Sequence, residues 1–147
     1  MYYTINEEAL HPAIDAEVSR IADEAYAEDG TALYDSVVIT GKDWPAVDGY
    51  LEDAAGLLVR QNADIARHAA PDVGQTAARI LFYVPDMAAN QESAVTAECS
   101  RFMAVYAACA LLQSRRPTAV PELTSRIQQA LDNVKSMLRK REAPSRT

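Results

Sequence analysis

The sequence predicts a mainly α-helical fold: a four-helix bundle-like domain with a small β element around residues 34–40 and 79–85. Three observations predict it. Alanine is abundant and there are only five glycines, a composition that favours helix. Three stretches repeat apolar residues at three- and four-residue steps, the period of a half-buried helix. A fourth, F-M-A-V-Y-A-A-C-A-L-L at 102–112, is apolar around its whole circumference. A helix without a polar face is buried on all sides, so this one is the natural centre for the other three.

Taken in order, residues 1–10 form an N-terminal arm in which Y-Y-T-I is extended and Asn6 caps a turn through E-E-A-L. Pro12 suits the first turn of a helix that runs to Gly30. Its stripe is Ile14, Val18, Ile21, Ala25 and Tyr26, and its other face is acidic. Val37, Val38 and Ile39 are consecutive β-branched residues, which favour extended chain. Thr40 or Asp43 then caps a second helix with Pro45 in its first turn, spanning 42–69 and ending before Pro71. Val47, Tyr50, Leu51, Ala54, Leu58 and Ile65 line its buried side. Gly49 and Gly56 lower helix propensity there; a close approach of another helix and simple tolerance are equally open.

R-I-L-F-Y-V-P at 79–85 is the strongest strand candidate, and 36–40 is its expected partner. Asn90 or Ser93 starts the third helix, which carries the 102–112 run and ends at Arg116–Pro117. A short link leads to a fourth helix with Pro121 in its first turn and Leu123, Ile127, Ala130 or Leu131, Val134, Met137 and Leu138 as its stripe. So short a link implies an antiparallel hairpin. Residues 1–141 thus make one helical domain, and 142–147 a flexible basic tail.

At 147 residues and 24% charged, the chain has the size and composition of one globular domain rather than a disordered segment. Its net charge of −7 argues against general or specific nucleic-acid binding, which needs a basic surface. The charge is graded. Residues 1–53 carry thirteen acids and two bases; residues 101–147 carry three acids and nine bases. The two ends can pair within one chain, or head to tail between subunits. The eleven-residue apolar run is short of the roughly twenty that cross a bilayer, so no membrane is expected. The N-terminal residues lack the basic start and apolar centre of a signal peptide. Cys99 and Cys109, ten residues apart on one helix, cannot bridge each other and read as small buried residues in a reducing compartment.

No catalytic motif stands out. His68 follows Asp64 by four residues, but one imidazole and one carboxylate do not hold a metal. A di-metal carboxylate bundle needs Glu-x-x-His on two helices, which this sequence does not supply. His11, before Pro12, reads as a turn residue. There is no phosphate-cradling glycine loop and no G-x-S-x-G elbow. Acid pairs such as Asp23–Glu24 and Glu28–Asp29 point about 100° apart on a helix and read as a solvated face. No enzyme, cofactor or metal is therefore expected. The candidate interface residues are the bases Arg115, Arg116, Arg139, Lys140 and Arg141, and the acids Asp23, Glu24 and Glu28.

The segments I-D-A-E-V-S-R-I-A-D-E-A-Y, V-V-I-T-G-K-D-W-P-A-V-D-G-Y-L-E-D-A-A-G-L-L, L-L-Q-S-R-R-P and R-I-Q-Q-A-L-D-N-V-K-S-M-L-R-K-R carry a resemblance. Across 12–141 the chain resembles the small acidic helical proteins encoded among virion genes of tailed phages and prophages. More loosely it is similar to head–tail connector (adaptor) or neck proteins, which form a ring beneath the portal. The likeness lies in element order and texture, and no individual residue role carries over. It implies a non-enzymatic virion subunit, a homo-oligomeric ring contacting portal and tail or neck proteins, present in the host cytoplasm during assembly and then in the virion. The alternative is a cellular helical protein–protein interaction adaptor without catalytic activity.

Overall fold

A computed structural model describes residues 2–24, 26, 29–31, 34, 39–62, 66–68, 78–83, 89–115 and 120–140. Four helices are described: α1 (Glu7–Glu24), α2 (Trp44–Gln61), α3 (Ala89–Arg115) and α4 (Val120–Lys140). The apolar run lies in α3, and α1, α2 and α4 all pack against it. Phe102, Met103, Ala107, Ala108, Cys109 and Leu112 are fully buried, on every side of the helix. By length and composition alone Gln91–Arg115 would pass as a membrane span, with mean hydropathy 1.3; 61% of that window is buried inside the fold. Its apolar surface is taken up by Ile14, Val18 and Ile21 of α1, Val47, Leu51, Ala54 and Leu58 of α2, and Leu123, Leu131, Val134 and Leu138 of α4, all in one core cluster. Cys99 and Cys109 are both buried within it, and neither is in a disulfide.

Helix ends depart from expectation where local chemistry intervenes. α1 starts at Glu7, not Pro12, and Pro12 sits inside it. It is described only to Glu24, short of the expected Gly30. Tyr26, placed on the buried stripe by its spacing, is exposed. Gly30 adopts a left-handed φ of 84°, and the Asp29 carboxylate accepts the Thr31 amide at 3.0 Å across that turn. α2 ends at Gln61 rather than near 69. Asn62 stops it: the residue is buried and extended, and its side-chain amide donates to the Leu58 carbonyl at 2.9 Å. An orphan carbonyl of the last turn is thereby satisfied without another helical residue.

The β element expected from 34–40 and 79–85 is not supported. Backbone pairing instead joins β1 (Tyr2–Asn6), β2 (Ala66–His68) and β3 (Ala78–Tyr83) in the order β1-β3-β2, both pairs antiparallel. β3 lies between β1 and β2, neither of them the expected 34–40. Tyr34 is buried in the core and Ile39 packs against it; residues 35–38 lie outside the described residues. Of residues 1–10, expected as an arm, 2–10 comprise β1 and the first turn of α1.

The two α2 glycines are also resolved. A Cβ at Gly49 would meet nothing within 4 Å, and one at Gly56 would meet only the Arg60 side chain at 3.1 Å. Among the described residues, neither glycine admits a neighbouring helix.

Two substitutions test this packing. Phe102→Ala should lower stability by about 3–5 kcal/mol, the usual loss for a fully buried aromatic, read as a fall in urea midpoint. Gly49→Ala should raise the midpoint, adding about 0.5–1 kcal/mol, because it improves helix propensity and meets no neighbour.

Candidate functional site

Opposite charges from the two ends of the chain meet across helices. Arg115, at the end of α3, donates to an Asp43 oxygen at 2.8 Å, just before α2. Asp43 occupies the N-cap position of α2, but its side chain caps no α2 amide. It turns back instead and accepts the Thr40 amide at 2.8 Å. That amide, with Arg115 assisting, holds the carboxyl below its ordinary value against the opposing effect of desolvation. On the other side of α3, Arg126 of α4 donates to Glu24 of α1 at 3.0 Å. Arg20 approaches the same carboxylate at 3.8 Å and also pairs with Glu17.

A third contact joins α1 to α2. The His11 ring stacks on Trp44, centroids 3.8 Å apart and planes 10° from parallel. Its Nε2 lies 2.9 Å from an Asp48 oxygen. His11 is therefore a bridging helix residue rather than the turn residue expected. Glu8 and His11 have the Glu-x-x-His spacing of a metal motif, yet no group of three or more His, Cys, Asp or Glu among the described residues is placed to hold a metal.

Of the expected interface residues, the structure brings Arg115 and Glu24 into ion pairs inside the chain. Asp23 is exposed on α1. Arg139 and Lys140 close α4, their side chains not described. Arg116, Arg141 and Glu28 lie outside the described residues, as does Asp64; His68 falls on β2, not on a helix.

Two concave features emerge that the sequence reading did not assemble. The first is an open groove of about 390 Å³ between α2 and α3, lined by Tyr50, Asp53, Tyr106, Ala110, Gln113 and Ser114. Tyr106 packs its ring against Phe102, centroids 6.2 Å apart. Partial burial, and secondarily the Asp53 carboxylate, push its hydroxyl above the ordinary value, while Arg60 opposes. The second is a cleft of about 120 Å³ where α1, α3 and α4 meet, lined by Arg20, Arg101, Arg126, Gln129 and Asn133 with apolar neighbours. Arg126, Gln129 and Asn133 stand three and four residues apart on α4, the one sequence signal that could have shown a polar stripe beside the buried one.

No known family, curated protein or solved structure matches this chain.

The Thr40–Asp43 turn has a pH signature. A carboxyl whose folded value lies below the unfolded one, about 3.9, stabilises the fold above that pH; the contribution is lost as pH falls through the lowered value. An NMR titration of the Asp43 carboxyl carbon should therefore show a midpoint below the ordinary aspartate value. In Arg115→Gln it should rise only part of the way, since the Thr40 amide remains. A full return to the ordinary value in that variant would assign the shift to Arg115 instead.

Proposed function

We propose that the chain is a non-catalytic structural subunit of a tailed phage or prophage, a head–tail connector or neck protein that assembles into a ring through contacts between copies. The observation carrying this reading is the acid left over on α1. Asp15 and Asp23 are exposed and have no ion-pair partner among the described residues, whereas Glu17 and Glu24 on the same helix are engaged. The consecutive bases Arg139, Lys140 and Arg141 stand at the far end of the sequence. An acidic face and a basic terminus are two unlike surfaces, which head-to-tail closure requires. The resemblance of 12–141 to virion proteins adds the neck assignment, with portal above and tail proteins below as partners.

A cellular adaptor is the second reading, favoured by the Tyr50–Tyr106 groove, whose aromatic lining suits a protein partner. Sedimentation at low and high ionic strength, alone and with portal, separates the two. The ring reading expects species larger than a monomer at low salt, in one or both mixtures, that dissociate as salt rises. Asp23→Lys, or removal of residues 139–147, should weaken them. A chain that stays monomeric and never binds portal under any of these conditions would leave the adaptor reading in place.

A further inference from the structure

The cleft between α1, α3 and α4 is out of keeping with the chain around it. The protein carries −7 overall, and only two bases occur in its first 53 residues. Yet three arginines, one from each helix, line this one cavity: Arg20, Arg101 and Arg126. The nearby carboxylates do not use up that charge. Glu24 is shared between Arg126 and Arg20, and Glu17 serves Arg20. Arg101 has no ion pair or hydrogen bond among the described residues. Arg126 has a further interaction besides Glu24, so the charge left unclaimed among the described residues is that of Arg101.

The two amides complete a set of donors. Gln129 donates through Nε2 to the Asn133 side-chain oxygen at 3.2 Å. That bond occupies the acceptor of Asn133 and leaves its NH₂ to donate, and Gln129 keeps a second N–H. Arginine offers five N–H groups in a planar fork and accepts nothing. Arg126 is held with its side chain only 19% exposed, so its charge is less screened than that of a surface arginine. A water-accessible hollow bordered by donors, with the Arg101 guanidinium unclaimed among the described residues, fits an anion with several acceptor oxygens.

Size and field decide which anion. The hollow, about 120 Å³, is far below the roughly 300–1,000 Å³ of sites for drug-sized ligands. It admits a single small oxyanion, not a nucleotide. A nucleic-acid backbone is excluded on different grounds: binding it takes a run of phosphate contacts on a basic surface, and a chain of net charge −7 repels it at long range. The geometry points to a binding site for one tetrahedral oxyanion of the phosphate class, held by Arg101 and Arg126 with Arg20, Gln129 and Asn133 around it. This inference does not rest on the ring assembly, and a monomer suffices to test it.

The full-length protein is titrated with inorganic phosphate at constant ionic strength, chloride replacing phosphate in the control, and followed by the arginine Nε–H signals in NMR. Phosphate should bind saturably and shift the signals of Arg101 and Arg126, while chloride does not. Sulfate, of the same shape, should bind at the same signals. Arg101→Gln removes a charged donor from an exposed position, so folding should survive, and phosphate affinity should fall at least about tenfold. Arg115→Gln, which removes a cation elsewhere, should leave affinity unchanged. Absence of saturable binding, an equal response to chloride, or equal affinities in Arg101→Gln and Arg115→Gln would each overturn the site.

Discussion

Everything in this fold depends on hiding one helix. Residues 102–112 of α3 present no polar face, so three separate apolar stripes are needed to cover them. Each of the other helices supplies one, and each is polar or charged on the side away from α3. That division fixes the architecture more than any contact among the outer helices. It also explains the small residues in α3. Ala104, Ala107, Ala108 and Cys109 are buried beside the larger Phe102, Met103 and Leu112, so small and large side chains share the packing surface of α3. A helix clothed on all sides gains most of its stability from tertiary packing, and its own propensity matters less.

The ion pairs play a different part. Arg115–Asp43, Arg126–Glu24 and His11–Asp48 each link elements distant in sequence, and each is at least partly open to water. Exposed pairs contribute little stability beside a buried aromatic. They can still favour this arrangement of helices, because each sets a base or an imidazole against a carboxylate from another element. Arg115 and Asp43 tie the end of α3 to the start of α2; Glu24 and Arg126 tie α1 to α4. Part of the charge gradient along the sequence is therefore cancelled inside the chain. Among the described residues, the acids that stay without an ion pair include Asp15 and Asp23 on the outer face of α1.

The parts legible in the sequence are those governed by one dominant period. α3 and α4 are read nearly to their ends, because an unbroken apolar run and a clean stripe leave little to decide. The end of α2 is not legible, since it depends on Asn62 turning its amide onto Leu58, an alternative that the continuing pattern through Ile65 conceals. Between α1 and α2 the described residues Tyr34 and Ile39 pack on the core, a use of apolar side chains in a connection that local pattern does not separate from a strand. The arginine cleft is the hardest to see. Its three cations come from positions 20, 101 and 126, and only the packing of α1 and α4 against α3 brings them together. Local spacing reveals at most the α4 stripe of Arg126, Gln129 and Asn133.

The cleft and the acidic surface act over different distances, which is why one molecule can carry both. At physiological salt a surface charge is screened within about 8 Å. A large polyanion approaching the protein meets the summed negative field of α1 and its surroundings before any arginine can touch it. A small oxyanion carries little charge, diffuses past that field, and meets three guanidinium groups at contact range, where screening is weakest. The same reasoning makes Glu24 a shared gatekeeper. Its carboxylate holds Arg126 and Arg20 in place while withholding part of their charge, so an oxyanion entering the cleft competes with Glu24 for the same donors. Arg101, unclaimed by any described carboxylate, is then the group whose charge the incoming ion meets undiluted, and affinity in the cleft follows from that residue more than from the two that Glu24 already holds.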